Sequence, residues 1–183
     1  MIELKSFMNK LIELYINDDE YNFFVGYIID YDFEFCLMKS IDKNGCFSSY
    51  QLIRNSTISN IEIDTDYLEV IGKCIEISKK LGIYDQISLD TINKNILCDM
   101  KSSSLLDCIL QKEFLEKTVI SLCLKNDDDV YFGYIGSIEE SYIYLNPIDD
   151  LSLQEYEKIK ILKSDIESLE FKGLNLYLLN AIY

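Results

Sequence analysis

Histidine is absent from the 183 residues, proline occurs once and glycine seven times. Without histidine a serine–histidine or cysteine–histidine relay cannot be built, which removes the commonest routes to nucleophilic catalysis. So little proline and glycine argues against long flexible linkers. No stretch approaches the ~18 consecutive apolar residues that a membrane helix needs. The N-terminus meets Glu3 almost at once and lacks the apolar run of a secretory leader, so a cytoplasmic protein is expected. The six cysteines, at 36, 46, 74, 98, 108 and 123, form no C-x-x-C pair. Zinc sites need ligands at tight spacing, and these thiols read instead as small apolar core residues in a reducing compartment. Gly133-Tyr134-Ile135-Gly136 is not followed by the lysine and helix start of a phosphate loop. No catalytic residue, metal or cofactor is therefore expected.

What is present is apolar and acidic. Hydrophobic residues make up 49% and charged residues 27%, a balance that supports a packed core. The net charge is −15 and is unevenly spread. Residues 1–72 carry −8, residues 104–183 carry −8, and residues 73–103 carry +1. Such a field repels phosphate backbones and attracts basic surfaces.

The chain also repeats itself. Phe7-Met8-Asn9-Lys10 is matched by Phe114-Leu115-Glu116-Lys117, and Ile12–Ile16 by Ile120–Leu124. The acidic clusters Asp18–Glu20 and Asp127–Asp129 follow. Val25-Gly26-Tyr27-Ile28 then answers to Phe132-Gly133-Tyr134-Ile135, Ser40-Ile41-Asp42 to Pro147-Ile148-Asp149, and Ser56–Glu62 to Ser164–Glu170. The offset stays near 107–108 residues. Three segments are expected: a first repeat at 1–72, a helical linker at 73–103 and a second repeat at 104–183.

Within each repeat the alternation of apolar and polar residues predicts strands, as in Ile120–Leu124, and tyrosine, phenylalanine and isoleucine dominate the longer runs. Ser104 with Asp107 resembles a helix-capping box ahead of Leu105, Cys108 and Ile109. Leu68, Ile71 and Ile75 predict a further helix that Gly82 would stop. Gly26 and Gly133 lie inside strand patterns, where glycine marks a sharp bend or a close backbone approach.

Leu52–Glu62 resembles the second motif of Sm-like (LSm-type) proteins, an apolar–Ile–Arg start followed by Ile-x-x-Ile-Glu. Ile161–Ile166 is a looser version, and Gly26-Tyr27-Ile28 and Gly133-Tyr134-Ile135 resemble the start of the first motif. Tandem copies of this kind also occur in bacterial proteins. The resemblance implies an α+β, β-rich fold: two small five-stranded barrels, each preceded by a helix and joined by a helical linker. It also implies RNA association. The family's base-holding asparagine in the β2–β3 connection, however, is missing from Asp30–Glu34 and from Glu139–Tyr142, and Asn55 replaces the second motif's glycine.

The two connections themselves are the candidate binding residues: Asp30, Tyr31 and Asp32 in the first repeat, and Glu139, Glu140 and Tyr142 in the second. Aromatics among carboxylates do not suit a nucleic-acid platform; they read as core and cross-strand packing, or as a protein interface, in which tyrosine is enriched. The expected function is a non-catalytic acidic module that engages a basic protein, as inhibitors and immunity proteins do. An RNA-associated protein and an oligomeric scaffold assembling through exposed strand edges are the alternatives. No membrane partner is expected.

Overall fold

The computed structural model describes residues 2–17, 23–89, 104–127, 129–148 and 156–182. The chain divides into two compact units, Met1–Asn95 and Ile96–Tyr183.

In the first unit a short 3-10 turn, Leu4–Phe7, leads into β1 (Leu11–Ile16), β2 (Phe23–Tyr31), β3 (Phe35–Ile41), β4 (Phe47–Arg54) and β5 (Ile58–Glu62). Helix α1 (Asp66–Leu81) follows. The sheet is antiparallel, in the order β5-β1-β2-β3-β4. One face is filled by Ile12, Leu14, Ile28, Cys36, Met38 and Ile53, all at 0% exposure. On β1, Ile12 and Leu14 share this face because successive strand residues point to opposite sides. The other face packs Val25 and Ile41 against Leu68, Ile71 and Ile75 of α1. Thr65 caps that helix by accepting from Leu68 N–H, and Gly82 closes it in the left-handed conformation at φ 71°.

The second unit begins with α2 (Leu105–Glu116), capped by the Ser104 hydroxyl accepting from Asp107 N–H. The strands are β6 (Val119–Leu124), β7 (Val130–Ile138), β8 (Tyr142–Ile148), β9 (Ile159–Leu162) and β10 (Ile166–Phe171). They run β10-β6-β7-β8-β9. Helix α3 (Leu174–Ile182) lays Leu176 and Leu179 over Val119, Phe132, Tyr134 and Ile148.

Closed five-stranded barrels were expected, and the sheets are open. Closure requires the first and last strands of the ladder to exchange hydrogen bonds. Among the described residues β5 pairs only with β1, and β9 only with β8. The three-residue 3-10 turns Asn55–Thr57 and Lys163–Asp165 redirect the chain at those points. In the first unit the chain passes from the β4 end of the ladder to its β5 end without a β4–β5 ladder. Strand alternation fixes which face is buried and carries no information about closure. The flanking helices differ too. The first unit is preceded only by the four-residue 3-10 turn. The expected linker helix begins at Asp66 and is packed on the first unit's own sheet, so α1 belongs to that unit. Residues 82–89 of the expected linker follow the helix, and residues 90–103, with most of the helix expected at Ser88–Ile96, lie outside the described residues.

Gly26 and Gly133 answer to close backbone approach. A Cβ on Gly26, at φ 156°, would lie 2.0 Å from the Lys39 carbonyl oxygen, and one on Gly133 would lie 2.3 Å from that of Asn146. The approaching group is the neighbouring strand. Ladder irregularities at Ile28/Asp30 and Ile135/Ser137 add to the bend just beyond each glycine.

Candidate functional site

The β2–β3 connection of the first unit is a braced turn. Asp32 N–H donates to the Phe35 carbonyl at 2.8 Å, which closes the hairpin. The Asp32 carboxylate turns back and accepts from the N–H groups of Glu34 and Phe35, each at 2.8 Å. An aspartate suits this position because its short side chain reaches backbone donors two and three residues on. From the other side Asn55 holds the turn: its backbone N–H donates to Glu34 O at 2.7 Å. Its side-chain amide donates to the carbonyls of Asp32 and Phe33 at 2.9 and 3.1 Å. The residue that departs from the Sm-like motif is thus the brace of the turn.

Bracing leaves Phe33 at the tip with 81% of its surface exposed. Burying a side chain of this kind is worth roughly 1.5–3 kcal/mol. Its neighbours are carboxylates. Asp30 accepts from Tyr31 N–H at 2.8 Å, and Glu34 sits 3.6 Å from the Arg54 guanidinium, which itself stacks 4.4 Å over the Phe35 ring. Beside the tip opens a cavity of about 370 Å³ lined by Ile2, Glu3, Tyr31, Asp32, Phe33 and Asn55 among others. A second hollow reaches from Phe33 and Glu34 past Arg54 to Ser59, sharing Ile2, Asn55 and Ile58 with the first. Together they form an open groove along the turn.

The corresponding turn of the second unit has the same backbone closure, with Glu139 N–H donating to Tyr142 O at 2.9 Å and Lys163 N–H to Ser141 O at 3.0 Å. Its side chains differ. Glu139 and Glu140 are exposed, and Glu140 stands where the first unit has Phe33. Tyr142 is half-buried: the Lys160 ammonium lies 3.7 Å from its ring centre and Tyr144 meets it edge-on at 5.6 Å. Of the six residues singled out by sequence, Tyr31 and Asp32 line the groove, with Asp32 shaping its turn, while Asp30 lies beside it and accepts from Tyr31 N–H. Glu139 and Glu140 stand on a solvated turn, and Tyr142 packs within its own sheet. Phe33 and Asn55 were missed. The available signal was an apolar residue inside an acidic turn.

The acidic clusters offer little to a cation. Asp18–Glu20 and Asp128 lie outside the described residues. Asp127 accepts from Asp129 N–H at 3.0 Å and from the Tyr131 hydroxyl at 2.8 Å, and these bonds hold its carboxyl below the usual range. Among the described residues no group of three or more cysteine, aspartate or glutamate side chains could hold a metal. Cys36 and Cys46 are buried free thiols, and burial pushes Cys36 up to about 12. Cys74 and Cys123 are free and half-buried, whereas Cys108 is disulfide-bonded, contrary to the reading of all six as free thiols. No helix among the described residues is long and apolar enough to cross a membrane.

No protein-family model matches the chain, and neither the curated proteins nor the solved structures give a match. The resemblance to Sm-like repeats consequently rests on the residues quoted above.

Proposed function

We propose that the chain is a non-catalytic binding module whose acidic surface engages a basic protein partner through the β2–β3 turn of the first unit, in the manner of inhibitors and immunity proteins. The observation that carries this reading is the exposure of Phe33 on a turn held by Asp32 and Asn55, beside an open groove. A rigid, exposed aromatic supplies contact area with little ordering cost on binding. The surrounding carboxylates, in a block of net charge −8, supply electrostatic complementarity to lysine and arginine and steer their approach. A cytoplasmic setting belongs to the same reading and rests on the free thiols Cys36, Cys46, Cys74 and Cys123.

The test is a titration of the full chain against two fluorescent probes, a lysine- and arginine-rich peptide bearing one leucine and a single-stranded RNA of equal length. The expected result is saturable peptide binding that weakens with salt and is lost in Phe33→Ser, with no binding of the RNA. Binding of the RNA in preference to the peptide would overturn the proposal in favour of an RNA-associated protein. Peptide binding unchanged by Phe33→Ser would remove the turn as the site.

A further inference from the structure

Helix α1 carries two adjacent apolar rows. The inner row, Leu68, Ile71 and Ile75, is buried against Val25 and Ile41, and Ser78 continues it by donating to the Gly45 carbonyl at 2.7 Å. The outer row is Tyr67, Val70, Cys74, Ile77 and Leu81, at successive spacings of three, four, three and four residues. That spacing is the seam of a helix that packs lengthwise against another helix. Tyr67, Val70, Ile77 and Leu81 are nevertheless between 41 and 67% exposed, and Cys74 between them is half-buried. Tyr67 meets Phe23 edge-on and Cys74 lies against Gly45 of the β3–β4 turn, while Val70, Ile77 and Leu81 are exposed. Four large apolar side chains in line on one exposed helix face are more than scattered surface hydrophobics, and a patch of that kind marks an interaction site.

The charges on the same helix say what fits there. The chain as a whole carries −15, so two copies repel over most of their surface. Residues 66–81 carry three acids, Asp66, Glu69 and Glu76, and three lysines, Lys73, Lys79 and Lys80, and are neutral. The signs are also segregated: Asp66 and Glu69 occupy the first turn, Lys79 and Lys80 the last. A second α1 laid antiparallel puts first-turn carboxylates against last-turn ammoniums at both ends. It also opposes the two helix dipoles, while a parallel pair would stack like on like. Glu69 and Lys73 are already joined within the helix and leave the end groups to make the match.

We propose that the outer row of α1 is a homodimer interface, occupied by the antiparallel α1 of a second copy of this chain. The contact is two-fold symmetric, each copy presenting the same row to the other. It is separate from the Phe33 turn and from the strand edges.

Sedimentation equilibrium of the full chain from micromolar to millimolar concentration tests this. The expected result is a mass that rises from 21.4 kDa toward twice that value. Ile77→Lys, at an exposed position, weakens association about tenfold or more while the circular dichroism spectrum is unchanged. Asp66→Lys and Lys80→Asp each weaken it, and the double variant restores it, an outcome that only the antiparallel arrangement gives. A chain that stays monomeric throughout overturns the proposal, and so does a dimer indifferent to Ile77→Lys, which would be held by a strand edge. Failure of the double variant to recover overturns the antiparallel pairing.

Discussion

The two units share a strand order and a hairpin closure, and they differ in what they hang on it. In the first, the turn after β2 is capped by Asp32, tied by Asn55 and tipped with Phe33. In the second, Glu139 and Glu140 occupy the turn, and Lys160 covers the aromatic face of Tyr142. The backbone closure is indifferent to this exchange, because it uses main-chain groups. Side chains decide whether the turn is a solvated end or a contact surface. Among the described residues each unit also buries one glutamate, and again the solutions differ. Glu13 on β1 accepts from the hydroxyls of Thr65 and Tyr15. Glu113 on α2 is wholly buried, accepts from the Thr118 hydroxyl and pairs with the Lys172 ammonium at 3.3 Å, which also reaches Glu116.

That second contrast gives the largest expected effect. Lys172→Met removes the cation beside Glu113 and leaves a buried carboxylate, one oxygen of which already has no partner. Loss of about 3–5 kcal/mol is expected by urea unfolding. Thr65→Val removes only a hydroxyl donor to Glu13, together with the α1 cap, and should cost about 1–3 kcal/mol. A smaller loss for the lysine than for the threonine would reverse the comparison.

Glu113 also sets a pH dependence. Desolvation, the dominant influence, raises its carboxyl above the ordinary value of 4.5, against the opposing pull of Lys172. A carboxyl with a raised folded-state value binds its proton more tightly in the fold, so its contribution is greatest below 4.5 and is lost as the pH climbs through the raised value. Glu113→Gln should therefore gain on the parent protein as pH rises above 4.5, and parallel stability curves would refute the assignment.

Next in size come the strand glycines. Gly26→Ala and Gly133→Ala each drive a methyl into a facing carbonyl, at 2.0 and 2.3 Å, and each should cost about 3 kcal/mol. Gly26 adds the strain of its positive φ, so the first unit should suffer more. Smaller again is the difference between turns. Asp32→Ala forfeits two backbone hydrogen bonds and should cost about 1 kcal/mol, whereas Glu139→Ala should fall within about 0.5 kcal/mol of the parent protein.

The sequence showed the strands through alternation, and α1 and α2 through apolar spacing, Gly82 and Ser104. It did not show closure, because the partner of β5 is chosen by contacts between residues far apart in sequence: Ile61 opposite Leu14 and Glu62 opposite Glu13. The start of α1 was legible in Thr65 and Asp66, an N-cap and a first-turn acid, yet the boundary placed at residue 72 by the change of charge falls inside α1, which packs on the first unit. At the site, the acidic residues were visible by composition. Asn55 was not, because its role lies in bonds to carbonyls 22 and 23 residues away.

The smallest effect is a gain. Gly72 lies in the middle of α1, and a Cβ there would meet nothing within 4 Å. Unlike Gly26 and Gly133 it serves no close approach, so its replacement by alanine only restricts the unfolded chain and favours the helix. Gly72→Ala should add about 0.5–1 kcal/mol. Gly72 lies outside the row formed by Tyr67, Val70, Cys74, Ile77 and Leu81, so the substitution should leave self-association at equal concentration unchanged. A change in sedimentation with Gly72→Ala would mean that the helix meets its partner on a broader face than that row. A loss of stability would mean that the glycine is held by a contact the folded chain makes in solution.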